Sequence, residues 1–519
     1  MKRSTFVKST LILSFATLLS KVLGSIFRIP LQNIAGDEVL GIFTLVYPIY
    51  MVALILSVAG IPIAISKLIA EARTQKDDVA IFQIKRTASI LALLFGVISF
   101  TLLYAFSESI STVLGDPSTR PALIVVSTTL LVAPFMAVYR GYFQGFEDMR
   151  PTAISQVLEQ LIRVGLILIS AIYFVSRGYS NEVVAAGVML GSIVGVLVSL
   201  VYLLLLYKNK VGSEASLKHF SYKTFLSWSK TILKVSIPIA IGTITMALLN
   251  AIDSLTIPYA LHSQSDGTNN VTYLYGIYGR GLALVQIATV FATSVVLPLI
   301  PLMTKKLTEK KYDQTRQLIE KTNHLSHLIS WPAAFGLLAL TLPLNITLFT
   351  NLEGSTMLGI IGFSSVFTSL AIVGTGILQG MNLTKTAALI VIGSVILKAF
   401  INIIMIHYYG ITGAALSTLF VYIMIVVINT IFIYKKFNYN LFPRELPKIV
   451  LSALNMGIVI AIPALWFTFE NWSRVENMLY LLIVITLGGL FYFCQLFLMK
   501  VVNKQSLSNL PVIGDWLKR

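Results

Sequence analysis

The stretch TLILSFATLLSKVLGSIFRIPLQ, residues 10–32, decides how the rest of the chain is read. It is long enough and apolar enough to cross a bilayer as a helix, yet it carries Lys21 and Arg28. At 3.6 residues per turn these two cations differ by only about 20° and face the same way. Gly24 and Ser25 lie between them and Pro30 follows, so a bend or break is expected here. A charge near the bilayer centre costs at least roughly 2.5 kcal/mol, which something in the protein interior must offset. Arg28, close to the outer end of the run, could instead snorkel to phosphate headgroups. Lys21 lies some nine residues, roughly 13 Å, below the outer end of the run and is expected in the interior.

The composition agrees with a membrane reading. Of 519 residues, 56% are hydrophobic and 12% charged, with a mean hydropathy of +0.83. This is the balance of an all-α polytopic membrane protein rather than a soluble domain. A single cysteine, Cys494, excludes a disulfide framework and a thiol metal site. The N-terminus imitates a signal peptide, but its apolar run is too long and contains Lys21, so a retained first helix is expected.

Hydropathy windows predict fourteen spans. The first six lie near 7–30, 39–66, 83–106, 121–145, 153–176 and 182–207. The next six lie near 231–260, 273–303, 324–350, 355–381, 385–407 and 411–434, and a last pair near 446–468 and 477–500. The expected organisation is an N-terminal lobe (1–207), a basic cytoplasmic linker (208–230), a C-terminal lobe (231–436), then helices 13 and 14 with a cytoplasmic tail (437–519). With alternating spans, most of the 39 Lys and Arg fall on one side. The positive-inside rule then places both termini in the cytoplasm. The formal charge of +17 is accordingly an inner surface facing anionic lipid, and no nucleic-acid partner is expected.

The chain also repeats itself. VYRGYFQGFEDMRPTA at 138–153 aligns with VGTGILQGMNLTKTAA at 373–388, a constant offset of 235 residues. The same offset pairs Arg163 with Lys398 and Gly41-Ile-Phe with Gly276-Ile-Tyr. An even number of spans separates the copies, so the halves run parallel and are related by an axis along the membrane normal. The Q-G turn in each copy reads as a glycine turn with a basic anchor. Charges that break the repeat are better candidates for chemistry: Arg280 corresponds to Leu45 and Asp253 to Leu18.

Catalytic signatures are missing. There is no G-x4-G-K-[ST] loop and no H-E-x-x-H, and His324 and His327 fall at a cytoplasmic helix start where solvation is expected. No cofactor or metal is implied, and no enzyme. Within the spans, Glu159 and Arg163 form an i,i+4 pair in the favourable order and are expected to neutralise each other. Asp253, in the seventh span, could pair with Lys398 in the eleventh, with Asn402 one turn below it and Thr418 on the twelfth completing a polar set. Lys21, Arg28 and Arg280 remain, a set suited to phosphate or pyrophosphate.

The opening STLILS…LSKVLGSIFR, the segment GIPIAISKLIAEA at Gly60–Ala72 and the Q-G-F turn at Gln144 resemble one group of transporters. It is the polysaccharide-exporter and lipid II flippase branch of the multidrug/oligosaccharidyl-lipid/polysaccharide exporter superfamily, and within it the stage V sporulation protein B-like group. The resemblance runs from about Ser9 to Tyr434. It implies two lobes in a V, alternating access, and a cationic cleft that receives the pyrophosphate of an undecaprenyl-linked saccharide. The cleft cations of that group match Lys21, Arg28 and Arg280. A cation that lipid II flippases carry near the end of the second helix has no counterpart in Val52–Ile65. Some relatives bind sodium among their seventh, eleventh and twelfth helices; here the Lys398 ammonium would take that ion's place.

The expected function is therefore outward flipping of a lipid-linked anionic oligosaccharide by a monomer in the bacterial plasma membrane, surrounded by phospholipid and envelope-synthesis enzymes. Two other readings stand beside it. A drug/cation antiporter of the same fold should show acidic cleft residues in the N-terminal half, where only Glu159 qualifies. A non-transporting scaffold for envelope assembly would show no potential-dependent flipping.

Overall fold

The computed structural model describes residues 2–58, 60–211, 220–264, 270–441 and 443–502. The core of the expected linker, the tip of the loop after the seventh span and the end of the tail lie outside these residues. Among the described residues the chain is helical with no strand. The helices follow the apolar runs because a backbone in hydrocarbon must satisfy its own hydrogen bonds.

In chain order they are α1 (Lys2–Ile26), α2 (Arg28–Val58), α3 (Ile61–Thr74), α4 (Asp78–Ala105), α5 (Ser107–Val113), α6 (Thr119–Ser127), α7 (Ala133–Gly145), α8 (Arg150–Ser176) and α9 (Asn181–Val211). There follow α10 (Tyr222–Gln264), α11 (Val271–Thr308), α12 (Tyr312–Ala339), α13 (Thr341–Phe349), α14 (Ser355–Gly380) and α15 (Thr384–Tyr409). The last three are α16 (Ile411–Phe437), α17 (Leu446–Ala461) and α18 (Arg474–Leu498).

Eleven stretches among the described residues are long and apolar enough to cross a membrane, or twelve if one bent pair counts as a span. Several expected boundaries move. The first two spans form one apolar stretch, Ile12–Thr74, interrupted at Phe27, at Gly36 and at Gly60. Gly36 has φ 80°, which only glycine adopts without strain, and the kink there divides α2 in two. The span expected at 324–350 is broken into α12 and α13 at a bend of 75°. The span at 121–145 is α6 and α7 joined by a 3-10 turn at Thr128–Leu131.

Two compact units divide the chain. One comprises residues 1–279 and 388–414. Its core is the apolar face of α2 (Leu31, Val39, Leu40, Ile42, Phe43) with Leu123, Val126 and Leu130, and Ile167 and Val188 from α8 and α9. α8 and α9 approach closely because a Cβ on Gly191 or Gly195 would stand 2.7 Å from the carbonyl oxygens of Arg163 and Glu159. The other unit comprises residues 280–387 and 415–519. There α12 packs on α14 and α17, and Tyr492 of α18 donates to the Leu328 carbonyl at 2.8 Å. Ser473 and Glu476 form a reciprocal capping box that starts α18.

Candidate functional site

The break between α1 and α2 sets the first site. The helical ladder is interrupted at Phe27, and Arg28 opens the next helix. Lys21 and Arg28 therefore do not share a face: Lys21 is exposed, whereas Arg28 is 5% exposed. The Arg28 guanidinium lies 5.8 Å from the centroid of Phe43, which stacks on Tyr47 and meets Phe27 edge-on. Its Nε and Nη1 are buried and have no hydrogen-bond partner among the described residues. Arg28 is thus a buried cation with aromatic walls and two donors to spare.

Around Glu159 the structure adds a residue that the pattern Glu159–Arg163 did not announce. Arg140 of α7 donates from Nη2 to Glu159 Oε2 at 2.8 Å and to Ser199 at 3.1 Å, and from Nε to Ser155 at 3.0 Å. Arg163 donates to the other oxygen, Oε1. The expected neutral pair is therefore a triad of two cations and one anion. Arg140 belongs to the VYRGYF segment that otherwise reads as a turn, and its side chain is only 16% exposed. Its partners Ser155 and Ser199 are buried, and no spacing in the sequence marks them.

Arg280 is fully buried in the second unit. It donates to Asn345 at 3.2 Å and to Asn351 at 2.7 Å, and lies 5.4 Å from the centroid of Phe349. Asn345 in turn donates to the Glu353 carbonyl and to Ser355. Arg280 thus ties the turn that follows the bent α12–α13 pair.

Asp253 of α10 is 1% exposed. Its Oδ2 accepts from the Lys398 ammonium of α15 at 2.7 Å and from Tyr278 of α11 at 3.1 Å. Its Oδ1 accepts from Asn402 at 3.0 Å, and the same amide reaches Thr256 at 2.8 Å. One carboxylate thus joins three helices, and each oxygen is satisfied, as a buried charge requires. Thr418 is buried on α16 in the second unit and is not part of this cluster's unit.

Near that cluster α2 and α11 cross with their backbones almost touching. A Cβ on Gly41 would stand 1.9 Å from the Thr272 carbonyl oxygen, and one on Gly276 would stand 1.9 Å from the Asp37 carbonyl oxygen. Gly279 faces the Thr44 hydroxyl in the same way. These partners are related by the 235-residue offset, so the crossing is isologous: each copy presents the same groups to the other. Small residues are what allow two membrane helices to approach this closely. Side chains reinforce it: Glu38 accepts from Asn181 and Asn270, Asp116 accepts from Thr272, and His262 bonds the Gly115 carbonyl at 2.7 Å.

A family model described as polysaccharide biosynthesis protein matches residues 6–306. The chain belongs to that family. The uncharacterized membrane protein YabM of Bacillus subtilis is 30% identical over 98% of this chain and 96% of its own length. The lipid II flippase MurJ of the same organism is 26% identical over 97% of both chains. A solved lipid II flippase MurJ in an inward closed conformation superposes with a TM-score of 0.68 at 18% identity, covering 95% of this chain and 100% of that one. The fold is therefore that of the flippases and multidrug transporters, and the protein is a multi-pass membrane protein. The matched region of the family contains Lys21, Arg28, Glu159, Arg163, Asp253 and Arg280 but stops short of Lys398.

The second unit also holds a cavity of about 820 Å³ between α12, α14 and α16, lined by His324, His327, Asn429 and Tyr439 among others. The two histidines are part-buried rather than solvated. His324 faces Glu445 at 3.6 Å, and His327 accepts from the Trp331 indole at 3.1 Å. Burial pushes the Tyr439 phenol up from its ordinary value. No group of three or more potential metal-ligating side chains occurs among the described residues.

Proposed function

We propose that this family member is an alternating-access flippase that moves an anionic, undecaprenyl-pyrophosphate-linked saccharide from the inner to the outer leaflet of the bacterial plasma membrane. The observation that carries the reading is Arg28, a buried guanidinium beside an aromatic wall with two nitrogens that have no partner among the described residues. A charge left in that condition is held for a partner that arrives, and a pyrophosphate accepts several such bonds at once. Lys21, exposed one helix earlier, adds a long-range attraction for the same anion. Arg280 is fully buried and donates to Asn345 and Asn351, so its removal is expected to act first on the fold of its own unit.

The reading includes fourteen spans in two six-helix lobes, a terminal helix pair, and both termini in the cytoplasm. With the cell interior negative, the membrane field favours outward movement of each negative charge by about 2.3 kcal/mol per 100 mV. Export of a headgroup of charge about −2 therefore requires no nucleotide hydrolysis. The Asp253–Lys398 pair takes the part that a bound cation would play in holding α10 and α15 together, so transport is expected to be independent of sodium.

The test is reconstitution into liposomes with a fluorescent lipid-linked saccharide and an imposed potassium diffusion potential. Flipping that rises with an inside-negative potential and persists without sodium supports the reading. Equal flipping with and without protein, or flipping that ignores the potential, would sink it. Depletion in cells, followed by identification of the precursor that accumulates, then names the saccharide.

A further inference from the structure

One turn of α11 is held by two neighbouring helices. Tyr278 and Tyr275 point to α10, where their hydroxyls meet Asp253 at 3.1 Å and Ser254 at 3.3 Å. Gly276 and Gly279 point to α2, where they rest against Asp37 and Thr44. At about 100° per residue Tyr275 and Tyr278 centre about 100° away from Gly276 and Gly279, so the two pairs occupy adjacent faces of one turn. All of these residues lie in the first unit. Tyr278 is fully buried, and its partner oxygen is the one that also receives Lys398. A shift of this turn away from α2 carries Tyr278 with it and strains its bond to Asp253 unless α10 moves as well.

We propose that Tyr278 is a positioning residue that ties the buried Asp253–Lys398 pair to the α2–α11 crossing and so holds the outer end of the transport path shut. The inference rests on the transport reading for what the crossing closes. The tie itself is a property of the protein without substrate. Three donors on one carboxylate make the tie conditional: Tyr278, Lys398 and Asn402 share Asp253, so a change in one alters what the others gain. Tyr275 serves as the internal comparison. Among the described residues its hydroxyl meets another hydroxyl, that of Ser254, a weaker bond than one to a carboxylate.

The experiment follows opening at the crossing with a thiol at Thr44, which is 1% exposed and faces Gly279. In a Cys494→Ser, Thr44→Cys background, intact cells are treated with an impermeant maleimide and the labelling rate is measured. Tyr278→Phe removes one hydroxyl without changing the packing volume and is expected to raise the rate about tenfold or more, the range for a bond to a charged group. Tyr275→Phe is expected to change it less, by about two- to fivefold. A second route avoids dependence on one variant: Asp253→Asn with Lys398→Gln keeps an acceptor for Tyr278 and is expected to label more slowly than Tyr278→Phe. Equal rates for the two tyrosine variants, or a neutral pair that labels faster than Tyr278→Phe, would overturn the tie.

Tyr179→Cys, half exposed in the α8–α9 turn, reports the orientation independently. If it is unreactive in intact cells, the topology is inverted. The same ranking is then read in inside-out membranes, where its loss again overturns the proposal. If the ranking holds while reconstituted protein fails to flip lipid, the tie stands and the transport reading falls.

Discussion

Arg28 and Arg280 are both buried, and each lies over a phenylalanine ring, at 5.8 Å and 5.4 Å. Their polar surroundings differ. Arg280 donates to two asparagine side chains, whereas Arg28 has two nitrogens without a partner among the described residues. Lys398 belongs with Arg280, since its ammonium is fixed on Asp253. The difference separates cations that the fold has already satisfied from one it has left available. A satisfied cation holds helices together, and its removal should be felt in stability. An available one contributes little to folding and should be felt in transport.

The largest expected effect belongs to the satisfied class. Asp253→Ala and Lys398→Ala should each destabilise by about 3–5 kcal/mol, because either leaves a charge buried alone. The double change should recover much of that loss. Thermal unfolding in detergent, followed by size-exclusion fluorescence, reads it; additive losses in the double variant would show that the two charges act separately.

Next comes Arg280→Ala, which strands the acceptor oxygens of Asn345 and Asn351 at about 1–3 kcal/mol for each one left unsatisfied. Folded yield and melting temperature should fall. A variant of normal stability with abolished flipping would move Arg280 into the company of Arg28.

Arg28→Ala should behave in the opposite way. Membrane levels stay near normal, while flipping in liposomes falls about 10–100-fold, the range for losing a charged hydrogen bond. Arg28→Lys should retain part of the activity. Normal flipping with lowered stability would erase the distinction between the two arginines.

The smallest effect is expected at Lys21. It is exposed and has no ion-pair partner among the described residues. Lys21→Ala should slow flipping by no more than about fivefold, and the loss should shrink further at high salt, as for a screened surface charge. A loss as large as that of Arg28→Ala would mean that Lys21 contacts the anion directly.

How much of this was readable beforehand follows from the range over which each interaction acts. The helices were legible because hydropathy is a sum over about 20 neighbouring residues. Asp253 and Lys398 could be considered together because opposite charges in apolar spans are few and neither is stable alone. Breaks were harder. The break expected between Lys21 and Pro30 falls at Phe27, where the ring of Pro30 crowds the Ile26 carbonyl, but no periodicity marked the kink at Gly36. Arg140 was hidden by its place in a turn-like motif, although its partners Glu159 and Ser199 lie 19 and 59 residues away. The amides that hold Arg280 come 65 and 71 residues later, after a bend of 75° that no periodicity encodes.

The crossing of Gly41 and Gly276 has a consequence for genetics. Each glycine already has the smallest side chain available, so an enlargement at one cannot be balanced by a reduction at the other. Second-site suppressors of Gly41→Ala should therefore not arise at Gly276. They should arise where α2 or α11 is anchored to other helices, by loosening those anchors until the whole helix can shift. Two codons far apart in the gene thus behave as one locus, intolerant at both ends and correctable at neither.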